Sequence, residues 1–339
     1  MTSAKWRSSA AISVVAASVV GTAAMLVTPA SAAPVQAAPA YRVTDLGTLA
    51  GASDSTAVAV NDRGDVVGQS GSHAVLWRGR RIVDLGTLGG SYSNAVDVNE
   101  RGDVVGHSQT SGDGSTRAFV WRGGRMNALE PLPGFSSSYA TAINDRGDVA
   151  GYSWSDGGLA AVLWRRDGTV VDVTATTGLY SVTDLDNNGR LVGAVVPDGM
   201  NLYPALSYRG RTTVLSDTSG TASAINDRGE ITGYFFDGVG ASFVWRAGRL
   251  TELPLLPDMP EASMMQAQGI NNRGQVVGYG GYDGFVWESD TGTLSTLPGL
   301  TAAGPAAYDI NDRGQIAGSA GTTPDNREPH AVLLTLKHH

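Results

Sequence analysis

The 339-residue chain has no cysteine. Disulfides, thiolate chemistry and Cys-ligated zinc are therefore excluded, and stability must come from packing. Lysine is almost as scarce: Lys5 and Lys337 are the whole supply, and arginine carries the other positive charge. The formal net charge is −8, and loss of Lys5 and Arg7 with a leader would take it to −10. An acidic chain without a basic stripe argues against nucleic acid and anionic membrane surfaces as partners. Of five histidines, His338 and His339 are a terminal pair, His73 and His330 share one repeat position, and His107 stands alone. An H-x-x-x-H pair, a nucleophile elbow and a phosphate-cradling glycine loop are all missing. No cofactor is expected.

Long apolar runs are also lacking, with one exception. Ala10 to Val27 is apolar, follows Lys5 and Arg7, and is succeeded by Pro29 and Ala30-Ser31-Ala32. That is the form of a secretory signal peptide, with cleavage expected after Ala32. Residues 33–40 are expected to be a disordered tail. No other stretch approaches the roughly 20 apolar residues of a membrane span. The exported chain is expected to be extracellular, without a span, and monomeric.

What the sequence has in quantity is a repeat. Seven times it spells Asn (once Asp), two polar residues, Gly, any residue, two mostly aliphatic residues, and Gly. The copies begin at Asn61, Asn99, Asn144, Asp186, Asn226, Asn271 and Asn311, at spacings of 38, 45, 42, 40, 45 and 40. A period of that size built from short strands marks a propeller or solenoid. In the second copy, Asn94 to Val98 reads as a strand, Asn99-Glu100-Arg101-Gly102 as a tight turn, and Asp103 to Ser108 as the returning strand. Ala118-Phe119-Val120-Trp121 is a third strand, and Met126 begins a fourth. Four short antiparallel strands make one propeller blade.

Tyr41 to Leu49 reads as a fourth strand with no first three before it. The last unit ends at Ala331-Val332-Leu333-Leu334 without a clear fourth strand. The N-terminal strand can therefore complete the C-terminal blade and remove the open edges. The predicted fold is all-β: one seven-bladed β-propeller over residues 41–336, closed three-plus-one, with 337–339 as a tail.

Asp84-Leu85-Gly86-Thr87-Leu88-Gly89-Gly90, Ala95 to Asn99, Gly102 to Gly106, and Ala118-Phe119-Val120-Trp121 together resemble the HAF family of extracellular repeats. His73-Ala74-Val75-Leu76-Trp77 is similar to the element that names it. The resemblance covers Tyr41 to about Leu336. It implies export and a propeller-like fold, and it brings no catalytic residues with it. The fourth unit departs most, with Asp186 for Asn and Tyr208 for Trp.

Two places can carry chemistry. The first strands should line the channel, where Asp97, Asp184 and Asp309 stand among small residues. They bind a polar ligand or serve a hydrolase or lyase, or each bonds neighbouring amides. The variable loops fall on the face opposite the tight turns, and binding residues favour such loops over a rigid scaffold. Candidate ligand residues there are Tyr92, Phe135, Tyr139, Trp154, Tyr180, Tyr203, Tyr282 and His107. Tyr152, Tyr234 and Tyr279 fit blade packing as well as they fit binding. Asp184, Asp186 and Asn188 resemble the start of a calcium loop, but Val195 stands where its twelfth-position carboxylate belongs. Arg-Gly-Asp at 63–65, 101–103 and 146–148 lies inside hairpins that have their own structural need for it. The expected function is a secreted binding module for a glycan or cell-surface component, without catalysis. A carbohydrate-active hydrolase or lyase using the three aspartates, and a structural envelope protein, are the alternatives.

Overall fold

The structure is a computed structural model. It describes residues 40–112, 114–236, 240–256, 259, 264–281, 283–301, 304–323 and 328–337. The predicted leader lies outside the described residues. Among the described residues, twenty-eight strands form seven four-stranded antiparallel sheets, and one five-residue helix, Val173–Thr177, follows the third sheet. Among the described residues no helix is long and apolar enough to cross a membrane.

Each sheet is one blade. Blade two comprises Gly89–Val98, Val104–Thr110, Thr116–Arg122 and Arg125–Leu129, paired in that order. Blade seven contains Ala306–Ile310, Ile316–Gly321 and Pro329–Leu336, and its outer strand is Tyr41–Asp45. Val43 pairs with Leu334 and Thr44 with Leu333, so the ends share a sheet as the repeat predicts. His330 Nδ1 contacts Asp45 at 2.9 Å across that seam, matching His73 and Asp84 in blade one. The two histidines thus do equivalent jobs between third and fourth strands.

The cores lie between blades. Leu76 and Leu85 of blade one pack with Val98 and Phe119 of blade two, and Tyr41 joins Val286, Ile316 and Leu334 between blades six and seven. Such contacts stack seven sheets face to face.

The repeat phrase has a physical reading at each polar position. Asn99 Oδ1 accepts from the backbone N–H groups of Arg101 and Asp103, both at 3.0 Å, and closes the turn. Its Nδ2 donates to the Asn144 carbonyl of the next blade at 3.1 Å. Equivalent links run from Asn61 to Asn99, Asn144 to Asp186, Asn226 to Asn271 and Asn271 to Asn311, and Asn311 returns to Asn61 at 2.8 Å. Only Asp186 lacks the amide. Its carboxylate pairs with Arg190, whose Nη2 reaches the Asp227 carbonyl at 2.7 Å, and that arm bridges blades four and five instead.

The two glycines of the phrase have different causes. The turn glycine adopts positive φ, as at Gly102 (78°), which Gly alone adopts freely. The second glycine faces a bulge. Every first strand skips one register step, between Ala95 and Asp97 in blade two and at the matching place in the other six. The bulge pushes a carbonyl toward the second strand, and a β-carbon at Gly106 would overlap the Asn94 oxygen. A bulge re-aims the side chains beside it, here toward the channel.

Candidate functional site

The channel has two unlike ends. At the tight-turn end the residue after each repeat Asn forms a second ring. Asp312 Oδ1 accepts from the Asn272 backbone N–H at 2.7 Å, and Asp62 Oδ1 accepts from that of Asp312 at 2.8 Å. Glu100 accepts from Asp62, Asp145 from Glu100, Asn187 from Asp145, Asp227 from Asn187 and Asn272 from Asp227. Five carboxylates and two amides thus rim a cup of about 310 Å³ floored by aliphatic residues such as Val60 and Ile143. Burial, then repulsion from Asp62 and Asp145, raises the Glu100 pKa against the Asp62 amide. Sequence reading missed this ring, because its members look like ordinary turn residues until the fold superimposes them.

Midway, the three channel aspartates bond backbone. Asp97 accepts from its own Val98 amide and from Ile143 of the next blade, both at 2.7 Å. Asp184 accepts from Leu185 and Ile225, and Asp309 from Ile310 and Val60. Each therefore spends Oδ1 on its own strand and ties its blade to the following one with Oδ2. Burial pushes Asp184 up to about 7 and Asp309 up to about 6, although the backbone donors oppose the rise. Asp97 is also raised, by burial and then by repulsion from Asp184. Part of each side chain remains open to the channel.

The calcium-like triplet is used otherwise. Asp184 is committed as above, and Asp186 accepts from the Asn188 and Arg190 amides and holds the Arg190 guanidinium. Among the described residues no three His, Cys, Asp or Glu are placed to hold a metal. In the Arg-Gly-Asp turns, Asp65 and Asp103 are buried against their own arginines: Arg78 Nε meets Asp65 at 2.7 Å.

At the loop end, three predicted residues come together. The His107 ring lies 6.1 Å from Tyr92 and 5.3 Å from Tyr139, and Tyr139 stacks on Tyr152 at 4.9 Å and 15°. All four are half-buried. Trp154, 44 % exposed, follows Tyr152 by two residues and so shares its strand face. Desolvation lowers the His107 pKa, so the imidazole is neutral near pH 7. Tyr92 Oη donates to Gln69 Oε1 at 3.3 Å. Across the mouth Tyr279 meets Tyr308 edge-on, and Tyr234 meets the exposed Phe236.

The other predicted residues separate. Phe135 packs into the core between blades two and three, and Tyr203 packs against the blade-four core with its hydroxyl on Asp198. Apolar contact drew both rings inward. Tyr180 is exposed but away from the ring cluster's contacts. Tyr282 lies outside the described residues.

No protein-family model matches the sequence. No curated protein matches it either. Solved structures do. The extracellular domain assigned to a hybrid two-component system of B. thetaiotaomicron aligns with a TM-score of 0.56 and 10 % identity, over 88 % of this chain and 40 % of that one. The chain thus spans about two fifths of that neighbour. YCF48, solved with a D1 peptide, gives 0.56 and 14 % over 90 % and 99 %. The RRP9 WD40 repeats give 0.55 and 14 % over 90 % and 100 %. The chain shares their β-propeller fold. At such identities a common fold carries no common ligand.

Proposed function

We propose that the protein is an exported, non-catalytic module that binds a glycan or glycan-bearing cell surface at the loop end of its channel. One observation carries the reading: the run Tyr92, His107, Tyr139, Tyr152, with Trp154 on the same strand face, half open to solvent. Sugar rings offer apolar C–H faces to such a platform and hydroxyl rims to Gln69 and Asn94 beside it. Each aromatic contact contributes on the order of 1 kcal/mol beyond area burial. The leader-like N-terminus and the resemblance to HAF repeats support export.

The hydrolase or lyase reading has one point in its favour, the raised Asp184 and Asp309, because shifted carboxylates gather at active sites. Against it, an acid–base pair needs an oxygen free for substrate, and all six are bonded to amides. A polysaccharide screen of the purified protein tests the proposal. Binding that weakens at least tenfold in Tyr139→Ala and Trp154→Ala supports it. Absence of binding to any polysaccharide or cell-wall fraction sinks it. Cleavage of a bound polysaccharide, lost in Asp184→Asn, would move the assignment to the hydrolase.

A further inference from the structure

The repeat breaks at the junction of blades three and four, and the break leaves a groove of about 810 Å³ on the outer, turn-side flank. Three departures make it. The fourth strand of blade three is only Val170–Asp172 and runs into the short helix. Ser207 stands where five other blades have Trp: it pairs with Leu191 as Trp77 pairs with Val66 and Trp164 with Val149, so the sequence expectation of Tyr208 at this place is corrected by one residue. Tyr208 follows it, where blades one, two, three and five have Arg. Ser207 is only 3 % exposed and borders the groove. A serine where the other blades place an indole leaves unfilled the volume that the groove occupies.

The charges point the same way. In blades one, two and five the arginine after the Trp is neutralised by an acid four residues beyond the repeat Asn: Arg78 by Asp65, Arg122 by Asp103, Arg246 by Glu230. In blade four that acid is replaced by Arg190 and that arginine by Tyr208. Arg209 takes the next turn position, matching Gly79, Gly123 and Ala247, at φ of 51°, and is exposed over the Tyr208 ring at 5.0 Å. In blade three, Asp148 is occupied by Arg146 at 3.4 Å and by the Arg166 backbone N–H, and the exposed Arg166 guanidinium has no ion-pair partner among the described residues. Arg165 faces Asp167, which is exposed. The lining thus carries Arg146, Arg165, Arg166 and Arg209 against Asp148 and Asp167, an excess of positive charge on a chain of net charge −8.

We propose that this groove binds an oxyanion-bearing ligand of sugar-residue size, such as an acidic saccharide unit. Arg166 and Arg209 clamp the oxyanion in the planar, bidentate manner of guanidinium groups. Ser207 donates a hydrogen bond from the floor, and Tyr208 offers its face to the ring. The volume lies within the range of small-molecule sites. The site is separate from the aromatic mouth and does not depend on it.

The test is titration of the full chain with oligogalacturonate, a sulfated oligosaccharide, inorganic phosphate and a neutral oligoglucan. The expected result is binding of an anionic probe that weakens with salt, falls at least tenfold in the double variant Arg166→Ala/Arg209→Ala, and falls several-fold in Ser207→Trp, the residue five other blades use there. Tyr139→Ala should leave it unchanged. The probe that competes best identifies the oxyanion as carboxylate, sulfate or phosphate. No anionic binding, equal binding of the neutral oligoglucan, or binding indifferent to both groove variants overturns the proposal.

Discussion

Lowering the pH from 8 to 5 should stabilise this protein, against the usual trend of acidic proteins. The cause is the channel aspartates. Asp184 rises from 3.8 to about 7 on folding and Asp309 from 3.8 to about 6, and Asp97 rises too. A raised folded pKa means the native state holds protons that the unfolded chain has released. The resulting stability is complete below the unfolded pKa and is lost as pH climbs through the folded one. At about 1.4 kcal/mol per unit, Asp184 alone corresponds to roughly 4 kcal/mol and Asp309 to roughly 3 kcal/mol. The channel leaves part of each side chain open to solvent, so about 2–4 kcal/mol for the pair together is the expected swing. Raised Glu100 acts in the same direction. Lowered His107 acts against it, since the folded imidazole resists the proton that the unfolded one takes below about pH 6.5. Asp65 and Asp103, lowered by their arginines despite burial, weaken the fold only near pH 4 and below. Urea unfolding at pH 5, 6, 7 and 8 reads the slope directly. Asp184→Asn and Asp309→Asn should each flatten it. A stability that is level or rises from pH 5 to 8 in the wild type, or a slope unmoved by both variants, would refute the reasoning.

Three further outcomes follow from the ring. Asn99→Ala should cost about 3–5 kcal/mol in urea unfolding, because it orphans two turn amides and the Asn144 carbonyl. Asn99→Asp, which keeps the turn and loses only the interblade amide, should cost less than Asn99→Ala; equal costs would deny the amide ring its role. Gly106→Ala should cost more than Gly102→Ala. The first meets the Asn94 carbonyl, and the second, at φ 78°, meets backbone strain of about 1–2 kcal/mol and movable Arg63 and Arg78 side chains. Removal of Tyr41–Asp45 should yield concentration-dependent aggregation on light scattering, since Pro329–Leu336 becomes an unpaired edge.

The architecture was legible because the repeat encodes it locally. Asn at the turn, Gly after it, the alternating second strand and the Trp-ended third strand each have a short-range cause. The orphan strand at Tyr41 then fixes closure by elimination. The bulge was not legible, because its residue in each blade (Val58, Val96, Thr141, Thr183, Ser223, Gln268, Tyr308) follows no single chemistry. It is declared by its partner, the glycine on the second strand. The rim from Asp62 to Asp312 was illegible for a different reason: its bonds join residues about 40 positions apart, and each member alone is a polar turn residue. Among the loop aromatics, sequence reading put Tyr139 and Phe135 in one class. Only the packed blades separate a ring on the open mouth from one drawn into the core.

These observations divide the molecule by what its repetition is for. The recurrent polar residues are consumed in holding the ring: the Asn amides link blade to blade, the next residues cap the neighbouring turn, and the acid four residues on neutralises an arginine. A group with all its bonds made has little left for a ligand. Binding capacity should therefore concentrate where the repeat departs from itself. The loop-side rings occupy three repeat positions: that of Tyr92, that of Tyr139, and the shared place of His107 and Tyr152, which holds Gln69, Ala194 and Ser319 in blades one, four and seven and tyrosine in blades five and six. The Ser207–Arg209 segment departs at three consecutive positions, with Ser for the Trp, Tyr for the arginine and Arg for the small turn residue of blades one, two and five. An experiment that scans the blades by exchange measures this division. Replacing Ser207 by the Trp of blade one should fill the groove and raise stability while removing anion binding. The same exchange in reverse, Trp77→Ser, should destabilise the fold by about 3–5 kcal/mol through lost core volume and create no binding, because Arg78 remains neutralised by Asp65. Anion binding gained by the reverse exchange would show that the pocket shape, and not the unpaired arginines, decides.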